Sequence, residues 1–157
     1  MMDWPDDVLE ALWWGVRTIA MSPDPAFGYD PVPLIRAGEK THTVRGNPRR
    51  VGSIAQVAVR GRRLPLWLRF TGSEVIGHDR MMTDEFAYAD GFRETPFLPP
   101  FTRSPADNLW AFMVEHCPSA EQHEVCDPRC SSCPHPTGRL RDRYLLHFEV
   151  IRDEVTS

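Results

Sequence analysis

Proline punctuates this chain so densely that long irregular connections, rather than a helical bundle, are expected. Fifteen prolines stand among 157 residues, and Pro31, Pro33, Pro96, Pro99 and Pro100 fall where elements would otherwise continue. Proline lacks a backbone N–H and clashes with the preceding helical turn, so a helical bundle is excluded. The expectation is short elements, ended at those prolines and joined by long irregular connections. The length suits a single domain with a core large enough to stand without disulfides. No apolar run approaches the roughly 18 residues that a membrane span requires. The acidic start, with Asp3, Asp6 and Asp7, is unlike a basic secretory leader. These features predict a cytoplasmic protein with no membrane partner.

Between the prolines, local patterns are readable. In "DWPDDVLEALWWGVRTIAM", Pro5 suits a first turn and Asp6 and Asp7 complement the helix dipole, while Val8, Leu9, Leu12, Val16 and Ile19 recur at helical spacing. This predicts a helix within an N-terminal helical extension over residues 1–28. "VPLIRAG" reads as a short helix or turn closed by Gly38. "SIAQVAVRG" and "LPLWLRF" predict a hairpin about Gly61, with Leu64, Leu66, Leu68 and Phe70 on one face and Trp67 and Arg69 on the other. Pro65 predicts an edge strand or a strand start. Thr83 would cap a helix through "DEFAYAD", and Ser104 with Pro105 would open another through "ADNLWAFMVEH". In "YLLHFEVI", Tyr144, Leu146, Phe148 and Val150 alternate as a closing strand, leaving 151–157 as a tail. Strands mixed with peripheral helices, without βαβ alternation, predict an α+β fold around a small barrel or curled sheet.

Charge is unevenly spread. The net charge is −4, yet between Arg36 and Arg69 nine Lys or Arg face a single acid, Glu39, while residues 1–30 hold six acids against Arg17. A basic block in an acidic chain is the footprint of a face that meets phosphates; a merely solvated arginine-rich face is the other reading. At the head of this block stands "GEKTHTVR", residues 38–45, which gathers Lys40, His42, Thr43 and Arg45.

This octapeptide matches the GxKxxTxR signature of the ASCH family, and "ADGF", residues 89–92, resembles that family's acidic-Gly-Phe element. The order of helix, signature, hairpin, acidic element, helix and closing strand agrees over about residues 29–150. The resemblance implies a PUA-like small β-barrel with peripheral helices. It also implies a protein that binds RNA or a modified nucleobase or nucleoside in a basic cleft. Some members of the family hydrolyse the amide of cytidine acylated on its exocyclic nitrogen. Their Lys, Thr and carboxylate fall on Lys40, Thr43 and Asp90, where the hydrolytic members carry the longer Glu at the last of these. In that chemistry Thr43 would supply the hydroxyl, Asp90 the base, and Lys40 the charge facing the oxyanion. For binding without turnover, a pocket at Lys40, Thr43 and Arg45 would read one base, and His42 would donate to a base or phosphate. Arg49, Arg50, Arg60, Arg62 and Arg63 would attract phosphates, and Trp67 would stack on a base. In a continuous strand Lys40 and Thr43 would face opposite sides, so a turn at Gly38 is needed to bring them together.

All four cysteines fall in "CPSAEQHEVCDPRCSSC", residues 117–133, within an expected insertion at about 116–136. Cys126, Cys130 and Cys133, with Cys117 or His135 as the fourth ligand, would form a structural zinc site stapling a proline-rich insertion, and such a site would suit a protein-interaction module. Reduced thiols in a loop are the other reading. The C-x3-C-x2-C spacing also occurs in radical S-adenosylmethionine enzymes, but this chain is too short for their βα barrel.

Overall fold

The computed structural model describes residues 17–76, 78–81, 83–115 and 143–154, together with Trp4, Asp6, Val8 and Leu9. Five strands form one curled sheet: β1 (Arg17–Ala20), β2 (His42–Arg45), β3 (Ile54–Val59), β4 (Arg62–Ile76) and β7 (Arg143–Asp153), in the order β1-β3-β4-β7-β2. A separate ribbon pairs β5 (Thr95–Pro96) with β6 (Thr102–Arg103). The helices are α1 (Pro31–Arg36), α2 (His78–Met81), α3 (Asp84–Asp90) and α4 (Pro105–Glu115). The fold is α+β, a half-barrel sheet with peripheral helices.

The hairpin forms as its pattern predicts. Arg60 and Gly61, both at positive φ (51° and 79°), make a tight turn between β3 and β4 whose twist matches the flanking strands. On the inner face Leu66, Leu68 and Phe70 are fully buried with Ile19, Val57 and Leu146, and α1 lays Val32 and Ile35 over the same core. Each of these side chains contributes about 1.5–3 kcal/mol through burial. The caps also form: Thr83 Oγ1 accepts from Phe86 N at 3.1 Å, and Ser104 Oγ from Asp107 N at 3.2 Å. α3 and α4 then bury Ala87, Leu109 and Met113 against Phe27, Tyr29 and Phe92.

Several expectations need correction. Asp6, Val8 and Leu9 are helical, but residues 17–20 are strand β1, paired in parallel with β3 from Arg17 opposite Ala55 to Ala20 opposite Ala58. The segment read as a helical extension therefore contains an edge strand of the sheet. Ile19 and Met21 are buried while Thr18 and Ala20 are exposed, a period of two that the helical spacing of Ile19 had masked. Pro31 and Pro33 open α1 instead of ending an element, because the first turn needs no N–H from them. Pro65 lies in a central strand. Its carbonyl accepts from Glu154 N at 2.9 Å, on the β7 side and just past the last ladder pair, Leu66 with Asp153, so its missing N–H falls where the β4–β7 ladder has ended. Finally, β7 runs to Asp153, because the 15-residue β4 is long enough to pair Leu66 with Asp153. Residues 151–153 are thus sheet, not tail. Among the described residues no helix is long and apolar enough to cross a membrane.

Candidate functional site

β1 and β2 are the two free edges of the sheet, and curling brings them together. Arg45 of β2 spans the seam: its Nη2 donates to Ala20 O of β1 at 2.6 Å, and its Nε donates to Thr43 Oγ1 at 3.2 Å. A cavity of about 370 Å³ opens at this seam. Its buried end is lined by Thr43, Asp90, Tyr29, Phe92, Leu109 and Met113; its outer end is lined by half-buried Ser22, Asp24, Arg45 and Gly46. Phe112 and buried Arg143 complete the wall. Tyr29 stacks on Phe92 (4.6 Å between centroids, 24°), and Phe112 lies 5.4 Å from both rings, so one side of the cavity is aromatic.

Behind the polar wall lies a buried ion pair. Gly38, at φ 75°, turns the chain out of α1, so Lys40 precedes β2 and escapes strand alternation. The Lys40 side chain is buried (1 % exposed), and its Nζ donates to His42 O at 2.8 Å, to Asp90 O, and to Asp90 Oδ1 at 3.3 Å. Those acceptors account for all three of its N–H groups. Burial pushes the Lys40 ammonium down to about 8, against the opposing pull of the Asp90 carboxylate, and Arg45 adds to the depression. His42 Nδ1 stands 3.3 Å from the same Asp90 oxygen, with its ring tilted on Phe86 at 4.8 Å. Burial, and secondarily the Asp90 charge, raises the Tyr29 hydroxyl far above its ordinary range, so it remains a neutral donor, directed at Met21 Sδ (3.8 Å).

Lys40 and His42 therefore stand behind the cavity, while Thr43, Arg45 and Asp90 face it. Because Thr43 Oγ1 accepts from Arg45, its own proton is left to donate into the space. Asp90 Oδ1 accepts from Lys40 Nζ and stands 3.3 Å from His42 Nδ1, and Asp90 lines the cavity. The lining thus combines the Thr43 hydroxyl, the Asp90 and Asp24 carboxylates and the Arg45 and Arg143 guanidiniums with an aromatic surface. With its three N–H groups engaged, Lys40 holds Asp90 from behind the cavity wall.

Gly91 makes this arrangement sterically feasible. Its φ is 111°, and a Cβ there would lie 3.1 Å from Tyr29 Cε1 and 3.2 Å from Lys40 Cδ. Gly91→Ala is expected to lower stability by about 1–3 kcal/mol, from backbone strain and crowding together. A urea unfolding midpoint equal to that of the wild type would count against this packing.

The other predicted residues are scattered. Arg49 Nη2 donates to Thr18 O at 3.2 Å, on the edge of β1. Arg50, Arg60, Arg62 and Arg63 are exposed; Arg60 reaches the pocket rim only through its backbone N–H, which donates to Ser22 Oγ at 2.9 Å, and Arg63 Nη1 meets Gln56 Oε1 at 3.4 Å. Trp67 is no stacking platform. It is 8 % exposed, packed with Val8 and Ile54, with the Trp4 ring against it at 5.6 Å and 79°. Cys117, Cys126, Cys130, Cys133 and His135 lie outside the described residues. Among the described residues no cluster of His, Cys, Asp or Glu could hold a metal ion.

Tyr29, Ser22, Asp24 and Arg143 were not foreseen as pocket residues, and nothing local in the sequence marks them. Leu109, Phe112 and Met113 lie in the expected helix through "ADNLWAFMVEH" and Phe92 in the "ADGF" element, where the sequence does not mark them as pocket residues. Compared with protein-family models, curated proteins and solved structures, the chain matches none at a significant level.

Proposed function

We propose that this protein binds a single nucleobase, as a modified nucleoside or within RNA, in the seam pocket of an ASCH-like, PUA-like domain. One observation carries the reading: Thr43, Arg45 and Asp90, drawn from two distant segments, open onto one cavity of about 370 Å³ with an aromatic wall. That volume suits a flat heterocycle with its sugar, in line with the small-ligand pockets of other proteins. A donor from Thr43 and a carboxylate acceptor from Asp90 match the acceptor and amino donor found side by side on a pyrimidine edge. The ASCH resemblance of "GEKTHTVR" points to the same ligand class.

The test is calorimetric titration with cytidine, N4-acetylcytidine and uridine. Saturable binding is expected. Thr43→Val should weaken it by about fivefold, the equivalent of one hydrogen bond of about 1 kcal/mol. Absence of saturable binding by any nucleoside, or an unaffected Thr43→Val, would remove the reading. A second reading is hydrolysis of an acylated exocyclic amine, in which water is added across the C–N bond. The Thr43 hydroxyl beside the Asp90 carboxylate favours it. Engagement of every Lys40 N–H weighs against it, and release of cytidine from N4-acetylcytidine, followed by chromatography, decides the point.

A further inference from the structure

We propose that Arg45, Arg49 and Arg17 form a phosphate subsite along the free edge of β1, one step outside the pocket mouth. The inference rests on the reading of the pocket as a base site and adds the phosphodiester attached to that base. Among the described residues β1 pairs with β3 alone, so its other edge presents carbonyls without a sheet partner there. Two of these, Ala20 O and Thr18 O, accept from Arg45 Nη2 at 2.6 Å and from Arg49 Nη2 at 3.2 Å. Alternate carbonyls on a strand edge lie about 7 Å apart. The two guanidiniums are therefore held at about that interval, close to the length of one nucleotide of an extended strand. Arg49 is further oriented by the Phe70 ring, 5.6 Å beneath it. Arg45 lines the cavity, so the row begins at the mouth and leads away from it.

Each carbonyl occupies one N–H, whereas a guanidinium carries five. Arg45 Nη1, and Arg49 Nε and Nη1, take no partner among the described residues, and these are the groups that grip phosphate oxygens in pairs. Among the described residues no carboxylate lies within ion-pair distance of Arg17, Arg45 or Arg49. Partial burial foremost, and then the Arg45 and Arg17 charges, lower the Arg49 pKa. Such a cluster in a chain of net charge −4 gains most from an anion laid across it. Arg17 was not a predicted binding residue. Its place on β1 brings it to Arg49, 32 positions away in a sequence where nothing local links them.

The experiment uses the full chain and four probes: cytidine, cytidine 5′-monophosphate, tripolyphosphate and a fluorescein-labelled RNA heptamer, UUUCUUU. Heptamer affinity is expected to fall with salt, and Arg49→Gln and Arg17→Gln should each make the log–log slope shallower by roughly 0.7, one phosphate contact on a single strand. Among the described residues Arg17→Gln removes no side-chain hydrogen bond, so it keeps the test open even if Arg49→Gln loosens the seam. Tighter binding of the monophosphate than of cytidine also supports the subsite. Unchanged slopes in both variants, with normal thermal unfolding, overturn it. If cytidine fails to bind but the heptamer or tripolyphosphate binds in an arginine-dependent way, the base pocket falls and the subsite stands. If cytidine binds and the arginine variants leave the heptamer slope unaltered, the reverse holds.

Discussion

Asp90→Leu is expected to lower stability by about 3–5 kcal/mol at neutral pH, the usual cost of stranding one member of a buried ion pair. Lys40 is 1 % exposed and loses the Asp90 carboxylate in this variant, keeping two backbone carbonyls that cannot balance its charge. The cost is specific to the pair, so the second substitution should recover much of it. Lys40→Met added to Asp90→Leu leaves an apolar contact of similar shape, and buried pairs replaced in this way are often neutral or stabilised. Urea unfolding of the wild type, both single variants and the double variant closes the cycle. Losses that simply add would show that Lys40 and Asp90 are not coupled, and the positioning of the pocket carboxylate by Lys40 would lose its basis.

Stability should also rise between pH 8 and pH 10, the opposite of the common alkaline trend. The sign follows from proton counts. Lys40 has a pKa of about 8 in the folded protein against 10.5 when unfolded. Through that interval the unfolded chain binds more protons, so raising the pH favours the folded state. The gain is on the order of 2 kcal/mol across the window, and it is lost as pH falls through 8. Tyr29 acts in the other direction at higher pH. Its folded pKa is raised above the ordinary 10.0, so the unfolded chain loses that proton first and stability declines above about pH 10. Lys40→Met should flatten the rise between pH 8 and 10. Denaturant midpoints that stay level or fall over this range in the wild type would contradict a buried, weakened ammonium.

The parts of the molecule legible in the sequence are those whose causes are local. The turn at Gly61, the caps at Thr83 and Ser104, and the alternation of Leu66, Leu68 and Phe70 each rest on a few neighbouring residues, and each forms as expected. The segment 17–20 was misread because its helical spacing was genuine but outweighed by a long-range partner. Pairing with β3 supplies backbone hydrogen bonds that an isolated turn of helix cannot match. Trp67 was misjudged for a related reason. Its own strand face lacks large apolar residues, and the surfaces that bury it come from Trp4 and Val8, about 60 positions away.

The candidate site divides along the same line. Sequence alone determined which chemistry was available: a lysine, a threonine and an arginine in "GEKTHTVR", and a carboxylate ahead of Gly91 whose spacing to Phe92 is set by the chain. It could not assign their tasks. Lys40 and Asp90, 50 positions apart, meet because α3 ends against the turn before β2, and that meeting consumes the lysine's donors and orients the carboxylate. Only the curling of the sheet brought β1 to β2, and with it the seam, the cavity and the row of arginines, because a free strand edge has unpaired carbonyls that seek donors wherever the fold supplies them.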